Sequence, residues 1–452
     1  MKKQLATSLL AIFAFGFIVN PACAILDKNK NQETVQTQIT EYINLEWWKQ
    51  FDDEYLNEYI EKAIQNNHDI KTVALKIEQA KINVTAVRSK QLPQVSVGVS
   101  PVLGKLPGET KTMGSFALPI MASYELDLFG KNWDKTKSAK KALEATKYDA
   151  QSANISIVSM VGTIYYNLVK LDKVIEIQKE LVKDRENIYS MMKISNEEGI
   201  ASTSDLILAE KAYVLSQNEL LDYEKARQTA LTTLAVLIGD SPNNINEYKR
   251  IAFDDIKTNL SIPESISSEI IVNRPDYKAM EKQLEAKGLD TRVAKKEFLP
   301  TIDILGLLTF VSTSSASSMS FENALGLLGA NAMLPIFTGF ARVANLKMNK
   351  NVYSQLLEQY QKTNLVATQE VNDSLYNLKS DNEKLLNNQK ALDLQEKDYS
   401  YSELKYAQGV ISKLDLLQQK ESLVYTQKLL VQSKMDCFVD KIGLYKATGA
   451  KI

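Results

Sequence analysis

Two hydrophobic patterns alternate along the chain. From about Asp53 to Leu92 the apolar residues recur at spacings of three and four, which predicts a long helix. Directly after Pro93 the period changes to two, with valine at every second position from Val95 to Val99, and this alternation predicts a strand. A helix therefore leads into a sheet in this part of the chain.

The same order of patterns occurs twice. The segment from His68 matches the segment from Pro275, 207 residues further on, and the downstream parts match at a shift of 210, as in Gly199 and Gly409. This duplication predicts a first repeat over residues 53–240 and a second over 266–449. Residues 241–265 then form a linker, 25–52 an N-terminal extension and 450–452 a tail.

Each repeat is predicted to contain a helix, a β-hairpin, a very long helix, a break and a last helix. The long helices are expected at about 132–198 and 341–408, and the last helices at about 203–238 and 412–448. A helix of about 65 residues would extend roughly 100 Å, so it needs coiled-coil partners. Two mainly apolar seams, one of which includes Gln178 and the other Gln395, fit that packing.

The two helix breaks have the same sequence pattern, in which a glycine is followed by a serine and then an aspartate. Glycine permits a left-handed turn, serine caps the next helix, and an acid in the first turn is favoured by the helix dipole. The equivalent pairs are Gly199 and Gly409, Ser202 and Ser412, and Asp205 and Asp415.

The predicted strands alternate apolar and polar residues, which fits either a soluble sheet or a membrane barrel. In "MASYELDLFG", residues 121–130, one face carries Glu125 and Asp127 and the other carries Tyr124. Four strands of about ten residues are long enough to cross a bilayer, but four strands cannot close a barrel. If these strands are transmembrane, several chains must share one barrel.

Composition narrows the class of protein. Residues 1–24 read as a signal peptide with cleavage after Ala24, and lipidation at Cys23 is the less favoured alternative. The formal charge of −1 becomes −3 without Lys2 and Lys3, which argues against a nucleic-acid partner. Cleavage leaves only Cys437, so no disulfide within the chain and no cysteine metal site is expected.

No catalytic constellation is evident. His68 is the single histidine and has polar neighbours, which favours a surface position. The Gly-Lys pairs at Gly104 and Gly130 lack the spacing of a phosphate-binding loop. We therefore expect neither an enzyme nor a cofactor or metal.

Six motifs, in order, resemble those of the TolC/OprM family of outer-membrane efflux proteins. They are "WWKQFDDEYLNEYI" from Trp47, "YELDLFGK" from Tyr124, "NRPDYKAMEKQL" from Asn273, "KKEFLPTIDILG" from Lys295, "LPIFTGF" from Leu334 and "YAQGVISKLDLLQQ" from Tyr406. The resemblance extends from about Trp47 to Gly449.

The resemblance implies a mainly α fold with a transmembrane β part. Each chain of a homotrimer would give four strands to a shared twelve-stranded barrel in the lipid of a Gram-negative outer membrane. The long helices would continue it as a coiled-coil tunnel across the periplasm. Glu125, Asp127 and Asp303 would then face the barrel lumen.

The resemblance also implies an exit duct of a tripartite efflux or secretion system. Asp415, with Gln418 one turn on, is expected at the closed periplasmic aperture, and Asp205 with less support. The tip turns at Gly199, Ser202, Gly409 and Ser412 would contact a periplasmic adaptor. An inner-membrane pump of the RND or ABC type would supply the energy.

Two alternatives remain from the residues alone. An exported periplasmic coiled-coil adaptor or scaffold without a barrel would also need long helices, although hairpins in both halves argue against it. A surface adhesin is disfavoured by the low glycine content, 17 residues. The transported substrate leaves no pattern in the sequence.

Overall fold

The computed structural model describes residues 46–104, 113–243, 248–257, 263, 265–312 and 324–450. The helices are α1 Glu54–Asn66, α2 His68–Arg88, α3 Lys131–Glu197, α4 Thr203–Ile238, α5 Glu269–Val272, α6 Pro275–Lys296, α7 Ala341–Ala407 and α8 Lys413–Ala447. The strands are β1 Gln94–Val97, β2 Ser100–Gly104, β3 Met113–Leu126, β4 Thr301–Ser312 and β5 Ala324–Met333. Cys23 lies outside the described residues.

The prediction of one unbroken helix from Asp53 to Leu92 is wrong, because the chain turns at Asn67. The backbone of Asn67 is extended, and its side-chain oxygen accepts hydrogen bonds from the amides of Asp69 and Ile70 at 2.8 and 3.0 Å. Its amide nitrogen donates to the carbonyl of Leu237 at 2.8 Å. Asn67 therefore caps α2 and fixes it to the end of α4.

The strands form one antiparallel sheet in the order β1/β2, β3, β4, β5. β1 and β2 pair with β3 in one continuous register, in which Gly98 lies opposite Pro119. The Gly98 amide donates to the Pro119 carbonyl at 2.9 Å, but proline has no N–H to return the bond. The first strand is therefore interrupted at this point, and the two hairpins join through β3 and β4.

The register separates the side chains into two faces, since directly paired residues share a face. One face is mixed and carries Glu125, Asp303 and Asn331 in a single row across three strands. The other face is apolar along its length. Its members include Val95, Val97, Leu118, Ile120, Ala122, Tyr124, Ile302, Ile304, Leu308, Leu328 and Ala330.

The helices form a layer that continues the sheet. Next to the sheet their order is α2, α3, α6, α7, which is the order of the strands they join. Farther from the sheet the order is α4, α3, α8, α7. α3 is therefore central throughout, whereas α7 lies at one edge. No helix in the described ranges combines the length and apolarity needed to cross a membrane.

The largest core lies where α1, α3, α4 and α8 meet. Tyr165 and Tyr166 on α3 are almost completely buried there. The 3-10 turn Trp47–Phe51 closes the core, with the Trp47 ring stacked on Tyr445 at 4.9 Å between centroids. The motif that begins at Trp47 is thus part of the core between the two repeats.

Candidate functional site

Both helix breaks form the same left-handed turn at the far end of the helices from the sheet. Gly199 and Gly409 have φ angles of 75° and 72°, a region where other residues are strained. After α3, the Ile200 amide donates to the Ser195 carbonyl at 2.8 Å, and the Val410 amide repeats this bond after α7. These bonds define a Schellman motif, which confirms the predicted conformation of both glycines.

The serines cap the returning helices, as predicted. Ser202 Oγ accepts a hydrogen bond from the Asp205 amide and Ser412 Oγ from the Asp415 amide, each at 3.1 Å. Each hydroxyl donates to the aspartate Oδ2 at 2.7 Å. At Ser412 the amide also donates to Asp415 Oδ2 at 2.9 Å. The Ser412 side chain and amide lower the pKa of Asp415, which stays ionised.

Gln418 is exposed one helical turn after Asp415. It lines a groove of about 930 Å³ between α3, α4 and α8, together with Arg185, Glu421 and Tyr425. The structure therefore places Asp415 and Gln418 on the same side of α8, where both contact solvent in the single chain. Asp205 is exposed at the equivalent position of α4.

Two ion pairs join the hairpins close to the tip. Lys420 Nζ lies 2.7 Å from Asp184 Oδ2, and Arg185 Nε donates to Glu421 Oε1 at 2.8 Å. Arg185 also donates to the carbonyl of Ala212 on α4 at 3.1 Å. Arg185 therefore binds α3, α4 and α8 together.

A second link lies farther from the tip. Gln178 is completely buried and donates to the Ser216 carbonyl at 2.8 Å. Lys428 donates to both Gln178 Oε1 and Glu219 Oε1. Partial burial acts to raise the pKa of Glu219, but hydrogen bonds from Lys428 and Tyr223 outweigh it and lower that pKa. This network again joins α3, α4 and α8.

Sequence reasoning missed these links. Gln178 was a signal in the sequence that could have pointed to such a link, because a polar residue in an apolar coiled-coil seam commonly selects a specific partner. Its partner Lys428 is 250 residues away, and no local pattern relates the two.

The carboxylates of the sheet have separate positions. Glu125 pairs directly with Asp303 across β3 and β4, and Lys131 Nζ lies 2.6 Å from Glu125 Oε1. Asp127 follows the last residue of β3, so the prediction that it lies within the strand is wrong. Its carboxylate instead accepts a hydrogen bond from the Trp133 amide at 2.8 Å, one of the free amides in the first turn of α3.

Comparison with known proteins identifies the class. The family model of the outer membrane efflux protein matches residues 59–240 and 266–450. A toxin and drug export protein of Aggregatibacter actinomycetemcomitans is 26% identical, with 91% of this chain and 90% of the relative covered. A toluene efflux pump outer membrane protein of Pseudomonas putida is 25% identical, with 89% and 84% covered.

A solved structure supports the same class. The CmeC outer membrane channel of Campylobacter jejuni is 25% identical and superposes with a TM-score of 0.83, with 90% of this chain and 88% of that chain covered. The chain belongs to the outer membrane efflux protein family. This confirms the resemblance, the outer-membrane location and the efflux role, and it sets aside the periplasmic adaptor and the adhesin.

Proposed function

We propose that three copies of this chain form one continuous duct, with a twelve-stranded barrel in the outer membrane and a helical tunnel across the periplasm. The observation that carries the proposal is the sheet, which has four strands when β1 and β2 are counted as one interrupted strand, and which has one apolar face. Within the described residues, its outer strands β1/β2 and β5 each have a neighbour on one side only. An open edge has no partners for its backbone in lipid, so each edge needs a strand from another copy.

The helices provide the matching surfaces. Along α4, Ile207, Val214 and Leu221 recur every seven residues and are 58%, 45% and 61% exposed. Seven residues are two helical turns, so these side chains form a stripe, and it lies opposite buried Ala209 and Ser216.

A second apolar stripe follows α7. Leu365, Tyr376, Leu394 and Tyr401 are exposed on the face opposite Leu385, which is buried. Because α4 and α7 are the two ends of the helical layer, the α4 stripe of one copy meets the α7 stripe of the next. Repeating this head-to-tail contact around an axis closes a ring.

The dimensions fit a duct. α3 and α7 each contain 67 residues, which is about 100 Å of helix. The mixed face of the sheet, with Glu125 and Asp303, would line the barrel lumen, and the apolar face would contact lipid.

The assembly is tested on mature protein extracted from outer membranes with a mild detergent. Light scattering should give the mass of three chains, and the same fraction should form ion-conducting channels in planar bilayers. A monomer, or release of the protein from membranes by carbonate, would contradict the proposal.

The tip is the proposed gate. The Asp184–Lys420 and Arg185–Glu421 pairs and the Gln178 network hold α8 against the first hairpin, so the aperture stays closed while they are intact. Docking of a periplasmic adaptor at the tip turns, where Gly199, Ser202, Gly409 and Ser412 are exposed, would separate the hairpins. An inner-membrane pump of the RND or ABC type would then drive substrate through the open duct.

Asp415 and Gln418 are proposed to surround the aperture, with Asp205 at its periphery. Three ionised copies of Asp415 would attract cations, so Asp415→Asn should reduce the cation selectivity measured from single-channel reversal potentials. The asparagine side chain can still accept the hydrogen bonds from Ser412, so the start of α8 is kept. Asp205→Asn is the matched control with a smaller expected effect. Unchanged selectivity in Asp415→Asn would remove this residue from the aperture.

A further inference from the structure

An exposed stripe of one aromatic and two basic residues begins α3. Trp133 is 55% exposed, and Lys137 Nζ lies 5.5 Å from the centre of its indole. Lys140 continues the stripe one turn further and is also exposed. Within the described residues neither lysine has a carboxylate partner within salt-bridge distance. These charges are therefore available to a ligand.

The stripe points away from the lumen. Lys131 contacts Glu125 on the mixed face of the sheet, so its direction marks the inner side of the layer. At 100° per residue, Trp133, Lys137 and Lys140 lie about 180–240° from Lys131 around α3. They consequently continue the apolar, outer face of the sheet.

A groove beside the stripe carries further positive charge. The groove has a volume of about 600 Å³ between α3 and α6, and Gly288 and Leu289 are among its lining residues. Its two carboxylates, Glu144 and Glu285, are each 2.9 Å from Lys141 Nζ and so are already paired. The remaining cation on its rim is Arg292, whose side chain is 57% exposed and 3.4 Å from Asp134.

The distance of these groups from the end of the sheet agrees with a position at a membrane surface. Lys137 and Lys140 are about 9 and 14 Å along α3 from its first residue, which follows the sheet by a short turn. Side chains on a helix tilt towards its N-terminus, here towards the sheet. The headgroup layer of a bilayer extends roughly 5–8 Å beyond the hydrocarbon. Trp133, in the first turn of α3, therefore lies at the interface, and the long side chains of the lysines extend back towards the level of the phosphates.

We propose that Lys137, Lys140 and Arg292 bind the phosphate of anionic phospholipids in the periplasmic leaflet, with the Trp133 ring against the upper part of the acyl chains. The proposal rests on the proposed barrel, since it needs β3 and β4 within the bilayer. Positive charge beside an apolar ring selects an anionic lipid over a zwitterionic one.

The site stays accessible in the assembly. Next to the sheet, α3 and α6 lie between α2 and α7, so the surfaces that would meet other copies at this level are on α2 and α7. The groove is therefore formed by one chain alone.

Trp133 supplies an intrinsic probe, because Trp47 and Trp48, the other two tryptophans, are 5% and 4% exposed. Mature protein is reconstituted in phosphatidylcholine vesicles that contain equal fractions of acyl-brominated phosphatidylglycerol or acyl-brominated phosphatidylcholine, and fluorescence quenching is titrated. We expect stronger quenching by the phosphatidylglycerol. The variant K137Q/K140Q/R292Q should lower this preference by about fivefold or more.

The matched control is K193Q/K211Q/K405Q, which removes the same charge from exposed positions near the tip and should keep the preference. Equal quenching of the parent protein by both lipids, or an unchanged preference in K137Q/K140Q/R292Q, would overturn the proposal. The proposal would also be overturned if the parent showed no lipid preference and the variant K137Q/K140Q/R292Q lost binding to isolated peptidoglycan. A conducting trimer without lipid preference refutes only this site, whereas lipid preference without a trimer refutes the barrel.

Discussion

α3 and α7 are duplicates of equal length with very different surroundings. Each contains 67 residues and ends in the same glycine turn, yet α3 has 24 buried residues and α7 has six. α3 packs against helices on both sides, whereas α7 packs only towards α6 and α8 among its main contacts. The side of α7 away from these helices carries the Leu365–Tyr401 stripe.

The difference supports the proposed assembly, because one copy of the fold leaves apolar surface exposed at its edges. Duplication gives two similar long helices, but only α3 lies between other helices of the same chain along its whole length. In the second hairpin, α7 has an ordinary coiled-coil pattern but leaves a stripe of apolar side chains exposed. Exposed apolar surface of this kind normally marks an interface. Substitutions in the exposed stripe of α7 should therefore disturb the assembly more than substitutions on α3.

The largest effect is expected from the α7 edge. In the proposed trimer, Leu365→Lys with Leu394→Lys would bury unpaired charge in all three interfaces, at a cost of several kcal/mol for each lysine. The trimer should no longer be detected by light scattering at micromolar concentration. Met160→Lys is the control, because Met160 is 50% exposed on the Lys131 face of α3, which the proposed duct leaves open to water. Loss of the trimer in Met160→Lys, or its survival in the α7 variant, would contradict this account of the edge.

The second effect concerns the link between the hairpins. Arg185→Ala removes the bonds to Glu421 and the Ala212 carbonyl, which should weaken the closed tip by about 2 kcal/mol per chain. Single-channel conductance should rise. The exchange Arg185→Glu with Glu421→Arg should bring it back towards the parent value. An equally high conductance in the exchange variant would show that this pair does not hold the gate.

A smaller effect is expected where the repeats differ in polarity. Asp440 of α8 corresponds to Ala230 of α4 at the shift of 210, and Asp381 of α7 corresponds to Leu171 of α3. Ala230 and Leu171 belong to the main core. At the equivalent position of the second repeat, partial burial raises the pKa of Asp440 to about 7, and the nearby Asp381 adds to this shift. Because the folded protein holds this proton more tightly than the unfolded chain, stability should fall as the pH rises from about 4 to about 7.

Asp440→Asn should therefore melt at a higher temperature than the parent at pH 8, with a smaller difference at pH 5. Asp393→Asn, which changes an exposed residue of α7, serves as the control. A constant difference between the two pH values would show that Asp440 is not the titrating group.

Local chemistry made much of this fold predictable. The bounds Thr203–Ile238 of α4 were expected from its cap and its glycine, and both tip turns follow from glycine, serine and aspartate at fixed spacing. The break at Asn67 was missed because the apolar spacing continues through it, although Asn67 and the following Asp69 have the residue types of a helix start. β3 also begins earlier than expected, at Met113.

Long-range features could not be predicted in this way. The partners Arg185 and Glu421 are 236 residues apart, and their contact depends on how two hairpins pack. The pairing of β3 with β4 likewise joins different repeats. The apolar stripes of α4 and α7 were readable only after the structure showed which face of each helix its own chain covers.

The contact between neighbouring copies is tested most directly by one disulfide. Val214 is about 16 Å along α4 from the tip, and Leu394 is about 20 Å from the end of α7, so the two stripes bring them together in an antiparallel contact. A chain with both Val214→Cys and Leu394→Cys, oxidised in outer membranes, should give covalent dimers and trimers on denaturing gels, while each single variant stays monomeric. Monomers alone from the double variant would contradict the ring.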